Sequence, residues 1–328
     1  IKVTQASTAT EIKNHGFIIK KPFTNFSFDQ FFIRKTLKTD EKILNKIFSN
    51  KTILITGGAG SIGSFVVRNI CKFKKRKIIV VDNNEYNFFK LKLSLEKKNI
   101  GKIVLSLANI ENNFQMEKIF KKFAPDIVFH VAALKHVEYL ENNTNQGILT
   151  NVLGTENVLK YSIKNKVKYF INVSTDKAAD PENVLGITKL IGEYLCSSYS
   201  LKNNIKIGIV RFGNVFNSNG SVSEVFTHQL FNAGKISISH PEVKRYFMSG
   251  NEASNLILSA LNIIHSKNLN KCRTFICNMG EQIKIIDIAK KMIFLSGRSS
   301  KKYLSNKYYG LKNIEKKSEK LISKNETI

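Results

Sequence analysis

"KTILITGGAGSIGS", residues 51 to 64, places a glycine-rich loop between an apolar strand and the start of a helix. Gly57, Gly60 and Gly63 have the spacing G-x-x-G-x-x-G. Glycines at these positions allow a tight turn, close approach of the backbone to a pyrophosphate and close helix–strand packing, and the helix N-terminus favours the phosphate charge. The spacing alone is weak evidence, but strand, loop and helix together predict a dinucleotide site. The alternative is a glycine-rich turn that binds no ligand.

Strand-like apolar runs separated by helical patterns continue from this loop. The runs are Ile53–Thr56, Ile78–Asp82, Ile103–Leu107, Ile127–Val131, Tyr169–Ser174 and Ile205–Arg211. Strands that are buried on both faces and alternate with helices predict an α/β fold with a Rossmann-like, doubly wound parallel sheet. After Gly213 the alternation loosens, and helical patterns cover 222–231, 252–265 and 285–295.

This pattern predicts three parts. Residues 1–50 form an N-terminal arm or linker, 51–213 the dinucleotide-binding domain, and 214–328 a smaller substrate-binding lobe and tail interleaved with it. Because the chain begins with Ile rather than Met, we expect both ends to be cut from a longer protein.

The composition favours a globular cytoplasmic protein. A hydrophobic content of 42% over 328 residues is enough for a buried core. No apolar run approaches the roughly 18 residues that cross a bilayer, and the start lacks a signal peptide. The four cysteines are scattered, and the spacing of Cys272 and Cys277 suits no common zinc site, so we predict reduced thiols and no metal.

The net charge of +27 raises the question of nucleic acid. Only seven of the 52 basic residues are Arg, and Lys is poor at bidentate base recognition. The abundance of Lys, Ile and Asn also resembles AT-rich codon usage. We therefore expect no nucleic-acid partner, and the charge favours anionic substrates and acidic membrane surfaces instead.

Asp82 ends the second apolar run, close to the ~20-residue spacing expected for a carboxylate that binds ribose hydroxyls. A carboxylate there repels a 2′-phosphate, so the sequence favours NAD over NADP. The alternative interpretation makes Asp82 the N-cap of a helix over 84–97.

A second stretch, "STDKAADPENVLGITK" (174–189), looks like the catalytic segment of a nicotinamide enzyme whose Tyr-x-x-x-Lys motif has lost its Tyr. Leu185 stands at the Tyr position, ahead of Lys189. With the glycine loop and "NVLGT" (151–155), this segment resembles the extended short-chain dehydrogenase/reductases.

Four motifs in order narrow the resemblance. They are "HVAALKHVEYLE" (130–141), the 174–189 stretch, "VRFGNVFNSNGSV" (210–222) and "HPEVKRYFM" (240–248). They resemble the CapD/WbpM-type polysaccharide-biosynthesis proteins, a family of nucleotide-sugar 4,6-dehydratases acting on UDP-N-acetylglucosamine. The resemblance runs from about Phe28 to the C-terminal tail. Because this branch commonly has Met at the Tyr position, Leu185 is a mild departure.

The resemblance implies three steps: hydride transfer from C4 of the sugar to NAD, elimination of water across C5 and C6, and return of the hydride to C6. It implies that Asp176 protonates the departing hydroxyl and Lys177 takes the C5 proton. A surface ion pair is the alternative for an Asp-Lys sequence, but the end of the fifth strand is where ligands bind in such sheets.

Roles at C4 follow from the same resemblance. Ser174 or Thr175 is expected to bind the C4 oxygen, and Lys189 to bind the nicotinamide ribose. Because Leu185 cannot accept a proton, we hypothesise that Lys189, directly or through a water, takes the proton of the C4 hydroxyl. The alternative is that Lys189 is an ordinary exposed helix residue.

The predicted cofactor contacts surround the glycine loop. They are Gly57, Gly60, Ser61, Ile62, Gly63, Asp82, Asn109, Ile110, Ala132, Ala133, Asn151 and Lys189. Asn109 stands where relatives often have an Asp near the adenine, which weakens that contact. Asn151 is the expected orienting residue beside the cofactor, although it could equally be a helix N-terminal residue.

The two phosphates of a UDP-sugar need cations and amide donors. The predicted substrate contacts are Lys135, His136, Arg211, Asn214, Ser221 and Arg245. Either Arg could instead be a salt-bridge partner, and a lone His is more often structural. "GLKNIEKKSEKL" (310–321) resembles the family's Gly-Leu-Arg-Pro-Gly-Glu-Lys segment but keeps only its first two residues with Glu315 and Lys316.

The first hypothesis is therefore a UDP-N-acetylglucosamine 4,6-dehydratase that serves surface polysaccharide synthesis. By analogy, it would belong to the branch that retains the configuration at C5. A nucleotide-sugar 4-epimerase is the second, and the sequence Thr175–Lys177 argues against it. The third is a catalytically silent NAD-binding scaffold. The resemblance also implies a homo-oligomer, with a possible membrane tether upstream that would hold this part at the cytosolic face of the inner membrane.

Overall fold

The computed structural model describes residues 26–32, 39–74, 76–95, 99, 102–305 and 307–327. Residues 1–25 and 33–38 of the expected N-terminal arm lie outside the described residues. The arm as a whole and the division of the chain into three parts stay predictions.

The strands are β1 (Lys51–Thr56), β2 (Arg76–Asp82), β3 (Ile103–Leu107), β4 (Ile127–His130), β5 (Tyr169–Val173), β6 (Lys206–Val210), β7 (Asn214–Val215), β8 (Lys244–Arg245), β9 (Phe247–Met248), β10 (Arg273–Phe275) and β11 (Ile283–Lys284). The helices are α1 (Glu41–Phe48), α2 (Ser61–Cys71), α3 (Glu85–Ser94), α4 (Asn113–Phe123), α5 (Val137–Asn142), α6 (Thr144–Gly147), α7 (Gly154–Lys164), α8 (Val184–Lys202), α9 (Val222–His228), α10 (Gly250–Ser266), α11 (Ile285–Leu295) and α12 (Ser300–Tyr303). Short 3₁₀ turns cover Phe28–Gln30 and Asp176–Ala178, and π-turns cover Ile148–Leu153 and Gln229–Ala233.

The main sheet has seven strands in the order β10-β6-β5-β4-β1-β2-β3, and every pairing in it is parallel. This confirms the predicted Rossmann-like, doubly wound fold, and all six predicted strands are present. The strand order reverses between β1 and β4, so the carboxyl ends of these strands border the crevice where ligands bind in such sheets.

Alternating apolar side chains cover both faces of this sheet. In β1, Ile53 and Ile55 pack into the core beneath α2 and α10, while Leu54 packs into the core on the opposite face, beneath α4, α7 and α8. The helices that cover the faces thus bury the strands on both sides, as their continuous apolar sequences require.

A third, smaller core lies under the elements that follow β6. Phe216 and Phe247 pack there with apolar side chains of α11 and with Phe31 and Phe32 from the described part of the N-terminal segment. The rings of Phe31 and Phe216 lie 4.9 Å apart between centroids. Not every residue after 213 belongs to this lobe, because α10 and β10 pack in the main sheet domain.

The predicted helices also form. The patterns at 252–265 and 285–295 correspond to α10 and α11, whereas the pattern at 222–231 divides into α9 and a π-turn. Within the described ranges, no helix is long and apolar enough to cross a membrane.

Candidate active site

The glycine loop takes the conformation that its spacing predicts. Gly57 has φ +63°, and a Cβ there would lie 2.6 Å from the backbone of Ala132 at the end of β4. A Cβ on Gly63 would lie 2.1 Å from the carbonyl oxygen of Gly57. Both positions therefore need glycine, and the loop amides and the N-terminus of α2 face the crevice side of β1.

Asp82 ties the glycine loop to the end of β2. Its carboxylate accepts hydrogen bonds from the backbone N–H groups of Ala59 and Asn84, both at 3.1 Å. Burial raises the pKa of Asp82, and these backbone hydrogen bonds oppose the rise. The alternative interpretation is wrong, because the N-cap of α3 is Asn84, whose side chain accepts from Asn87 N at 3.0 Å.

Asn109 and Ile110 lie just after β3, along the same sheet edge. The Asn109 side chain bonds within its own turn, accepting from Glu111 N at 3.1 Å. Ile110 is buried, and a Cβ on Gly154 would lie 2.7 Å from its Cδ1. Whether either residue contacts a cofactor stays a prediction.

A cavity lies at the carboxyl ends of β4, β5 and β6 and encloses about 1040 Å³ including its open mouth. It brings together most of the predicted catalytic and substrate-binding side chains. The predicted residues in its lining are Ile62, Ala133, Lys135, His136, Ser174, Thr175, Lys177, Leu185, Lys189, Asn214 and Ser221. Asn151, Asp176, Arg211 and Arg245 are not part of that lining.

The turn after β5 holds Asp176 and Lys177. Thr175 caps this turn, and its hydroxyl donates to Asp176 Oδ1 at 3.0 Å. Asp176 is fully buried, and within the described residues its Oδ2 has no hydrogen-bond partner. A Cβ on Gly213 would lie 3.2 Å from that oxygen, so a glycine leaves the carboxylate room.

Lys177 connects Asp176 to the cavity. Its Nζ lies 3.0 Å from Asp176 Oδ1 and 3.5 Å from Asn214 Oδ1. The Lys177 side chain is only 16% exposed and that of Asp176 0%, so the alternative of a surface ion pair is wrong.

Lys189 is buried in the second turn of α8, which begins after the N-cap Asn183. Burial lowers the pKa of its ammonium group to about 8, and nearby Cys196 and Glu193 oppose this effect. The alternative of an exposed helix residue is therefore wrong. Leu185, one turn earlier, is 5% exposed and supplies an apolar wall of the cavity.

Asn151 lies inside the π-turn at Ile148–Leu153, so it is not a helix N-terminal residue. Its side chain accepts from Leu134 N at 2.9 Å and donates to Leu134 O at 3.0 Å. Asn151 therefore fixes the loop that carries Lys135 and His136, whereas its contact with a cofactor stays a prediction.

A fully buried histidine, His130, ends β4 and was not among the predicted site residues. Its Nδ1 lies 2.7 Å from Thr56 Oγ1, and its Nε2 lies 2.9 Å from Thr155 Oγ1. Because Thr155 donates its only hydroxyl proton to Asn151 O, it must accept from a protonated Nε2. Burial, with Lys189 nearby, lowers the pKa of His130 to about 3, so the ring is neutral.

Lys135 and His136 face the loop before α9. The ammonium of Lys135 donates to Ser218 Oγ at 3.0 Å. A Cβ on Gly220 would lie 2.2 Å from the His136 ring, so this loop packs directly on the imidazole. Burial lowers the pKa of both residues. Ser221 is the N-cap residue of α9 on the same wall.

Arg211 is not brought to the cavity. Its guanidinium is 2% exposed and forms hydrogen bonds of 2.5 and 2.8 Å with Glu193 and of 2.6 and 2.8 Å with Glu326. Arg211 is therefore a salt-bridge partner in this structure. This was the alternative to the predicted contact with the substrate phosphates.

Arg245 lies beside the C-terminal segment. Its Nη1 donates to Lys244 O and to Lys317 O, at 2.9 and 3.3 Å. Its Nε lies 3.9 Å from Glu319 Oε1, and the same oxygen lies 3.7 Å from Lys177 Nζ. Glu319 and Glu326, in a tail whose sequence is only weakly patterned, therefore reach the buried cations around the site.

Comparison with known proteins agrees with this fold. The sequence model of the family described as "Polysaccharide biosynthesis protein" matches residues 53–328. "Capsular polysaccharide biosynthesis protein CapD" of Staphylococcus aureus is 36% identical over 296 residues, which are 89% of this chain and 48% of that protein. This chain thus spans about half the length of that relative. A "UDP-glucose 4-epimerase" of Rickettsia canadensis is 34% identical over 223 residues, 65% of this chain and 63% of that protein.

Solved structures are similar over most of the chain. The structure of Pen from Bacillus thuringiensis has a TM-score of 0.74 at 32% identity, covering 84% of this chain and 82% of that one. DesIV of Streptomyces venezuelae, a dTDP-glucose 4,6-dehydratase solved with NAD, has a TM-score of 0.71 at 16% identity, covering 82% of this chain and 87% of that one. The fold is therefore that of the extended short-chain dehydrogenase/reductases.

Proposed function

Since this chain belongs to the polysaccharide biosynthesis protein family, we propose that it is a nucleotide-sugar 4,6-dehydratase. Its substrate is UDP-N-acetylglucosamine, and its product is a UDP-4-keto-6-deoxy sugar used for surface polysaccharide. The observation that carries the proposal is the buried Asp176–Lys177 pair, which lies 3.0 Å apart at the carboxyl end of β5 beside the cavity.

The glycine loop and Asp82 fit a dinucleotide. Side chains at Gly57 and Gly63 would collide with the backbone, so both positions need glycine, as a pyrophosphate-binding loop of this spacing does. The Asp82 carboxylate at the end of β2 would bind ribose hydroxyls and disfavour a 2′-phosphate, so NAD fits better than NADP. When bound, NAD supplies the acceptor for the C4 hydride and the donor that returns it to C6.

Oxidation at C4 also releases the proton of the C4 hydroxyl. Lys189 is the candidate base, because its pKa of about 8 leaves part of the amine neutral near neutral pH. Once protonated, Lys189 supplies positive charge beside the C4 oxygen.

Elimination needs a base for C5–H and an acid for the C6 hydroxyl. A single proton shift along the Lys177–Asp176 hydrogen bond gives the neutral amine and the carboxylic acid that the step uses. Lys177 then takes the C5 proton. Asp176, which lies behind Lys177 and outside the cavity lining, must turn toward the cavity to give its proton to the departing oxygen, and water leaves. As the hydride returns to C6, protonated Lys177 gives its proton back to C5. The neighbouring positions of both groups on one turn let them act together.

A 4-epimerase is the second candidate, because the Rickettsia relative carries that name. Leu185, which cannot exchange a proton, and the Asp176–Lys177 pair favour the dehydratase. A silent NAD-binding scaffold is the third candidate.

Incubation of the protein with UDP-N-acetylglucosamine and NAD, followed by mass spectrometry of the sugar nucleotide, separates the three. A dehydratase gives a product lighter by one water, an epimerase gives a product of unchanged mass but different chromatographic mobility, and a scaffold gives none. Heat-denatured protein is the control. A product of unchanged mass would replace the dehydratase with the epimerase.

We also propose that the chain forms a homo-oligomer. Ile187, Ile191 and Tyr194 on α8 are exposed, with Leu149 and Leu153 on the adjoining π-turn. Exposed apolar side chains on neighbouring elements are typical of subunit interfaces. Light scattering after size exclusion would test this, and a monomer at micromolar concentration would contradict it. A membrane tether upstream likewise remains a proposal.

A further inference from the structure

Ser174 lines the cavity, and its hydroxyl proton has a fixed direction. Its Oγ donates to Glu193 Oε1 at 2.5 Å, and both residues are buried. A hydroxyl has a single proton, and a bond from a hydroxyl to a carboxylate is among the stronger hydrogen bonds in proteins. Ser174 therefore offers only lone pairs to the cavity.

The carboxylate of Glu193 cannot turn away to release this proton. Arg211 Nε donates to Glu193 Oε1 at 2.8 Å, and Arg211 Nη2 donates to Oε2 at 2.5 Å. On its other edge the same guanidinium binds Glu326. Two parallel bonds fix the plane of the carboxylate, so Oε1 remains an acceptor for Ser174.

We propose that Glu193 is a positioning residue that makes Ser174 a pure hydrogen-bond acceptor toward the sugar. This inference rests on the proposed function. While Lys189 is an ammonium, Ser174 accepts a hydrogen bond from the C4 hydroxyl of the substrate, and it gives none to the C4 ketone of the product. When Lys189 is neutral, the same hydroxyl turns its proton to that amine, which takes it. The buried ammonium of Lys189, in the same lining and one helical turn before Glu193, is then the donor for the C4 oxygen.

This arrangement distinguishes substrate from product. A site built to accept from a hydroxyl loses that bond when the ligand carries a ketone, because an oxygen lone pair then faces an oxygen lone pair. Glu193, which touches neither ligand, thus favours binding of the 4-hydroxy sugar and release of the 4-keto sugar.

Ser174→Ala tests the inference without disturbing the Glu193–Arg211 pair. The substrate Kd, from titration of UDP-N-acetylglucosamine in the absence of turnover on the Asp176→Asn background, should rise roughly three- to tenfold, the range of one hydrogen bond. The Kd of the purified 4-keto product, from the same titration, should stay unchanged. Equal weakening of both ligands would overturn the inference while leaving the proposed function intact.

Glu193→Gln is the second test, with Glu326→Gln as its matched control. Both changes remove one carboxylate from Arg211, but only Glu193 touches Ser174. We expect Glu193→Gln to lower the preference for substrate over product severalfold, Glu326→Gln to leave it unchanged, and the effect of Glu193→Gln to vanish on a Ser174→Ala background. An undiminished effect on that background would show that Glu193 acts through packing alone. Wild-type protein that releases no water from the substrate would instead contradict the proposed function.

Discussion

Two ionic clusters lie near Ser174, each with a buried pair at its centre, and their geometry differs. In the Arg211 cluster (Glu193, Arg211, Glu326) the charged contacts are 2.5 to 2.8 Å long, and every nitrogen of the guanidinium has a partner. In the Asp176 cluster (Asp176, Lys177, Glu319) the contacts are 3.0 and 3.7 Å long. One oxygen of Asp176 and one of Glu319 have no hydrogen-bond partner among the described residues.

We infer from the difference in pairing that the Arg211 cluster stabilises the fold and that the Asp176 cluster takes part in the proposed reaction. Charges that are fully paired at short distance are held in place, and breaking such a pair leaves a buried charge uncompensated. Charges that are buried but incompletely paired are costly to the fold, and such groups occur at catalytic sites. We therefore propose that the Asp176 cluster is the one in which a proton moves.

Asp176→Asn should have the largest effect on turnover. The amide keeps the size of the carboxylate but cannot donate the proton that the C6 oxygen needs, so turnover should fall on the order of 10²- to 10⁴-fold. Initial rates of water loss by mass spectrometry measure this. Asp180→Asn, just after the same turn, is the control and should keep near-normal turnover. Comparable losses in the two variants would contradict the role of Asp176.

Arg211→Met should have the largest effect on stability. It leaves Glu193 buried without its main partner, and we expect a loss of about 3–5 kcal/mol in the free energy of unfolding measured with urea. Lys177→Met is the comparison variant. It also leaves a buried carboxylate, Asp176, without its cation, but it should lose less, because Lys177 has ion contacts of 3.0 and 3.7 Å whereas Arg211 forms four hydrogen bonds of 2.5 to 2.8 Å with two carboxylates. If the two variants unfolded at the same urea concentration, the distinction between the clusters would fail.

The pH dependence of turnover tests Lys189, which lies on α8 and lines the cavity. If neutral Lys189 is the base, kcat should rise with pH through about 8, by about tenfold between pH 7 and 9. A profile that is flat above pH 7 would exclude this role.

The free energy of unfolding should also depend on the protonation of Lys189. Burial lowers the pKa of Lys189 to about 8, so between about pH 8 and its ordinary value of 10.5 the unfolded chain binds more protons than the folded one. The free energy of unfolding should therefore increase with pH across this window. In Lys189→Met that contribution should be absent, as urea unfolding at several pH values would show.

Glu319→Gln should have the smallest effect. Its ion contacts of 3.7 and 3.9 Å are too long for hydrogen bonds, so the free energy of unfolding should fall less than in Arg211→Met. Turnover should change severalfold at most, through the placement of Lys177. A stability loss as large as that of Arg211→Met would mean that the two clusters do not differ.

The sheet and the glycine loop were predictable because their signals are local. An apolar run, a glycine spacing and a terminal Asp82 each lie within a few residues, and the structure has them where the sequence predicted. Strand β10 was missed, because its three residues lie at the sheet edge and include the exposed Arg273 and Thr274.

Contacts between distant segments were not predictable in this way. Arg211 and Arg245 look alike in their motifs, and only the fold shows that the first meets two carboxylates 18 and 115 residues away. Nothing in the Lys-rich tail distinguishes Glu319 and Glu326 from solvated residues. His130 appears in the sequence as one more member of a buried strand, and its two threonine partners come from β1 and α7.

The π-turn at Ile148–Leu153 makes the number of residues in this segment important for the site. A π-turn accommodates one more residue than an α-turn, and each residue of a helix advances its side chain by about 100°. Deletion of a single residue here would convert the π-turn to regular α-helix. The side chain of Asn151 would then rotate about the helix axis relative to Thr155, although no side chain at the site had been replaced. An insertion or deletion in this stretch should therefore be as damaging to the proposed activity as a substitution at the centre of the site.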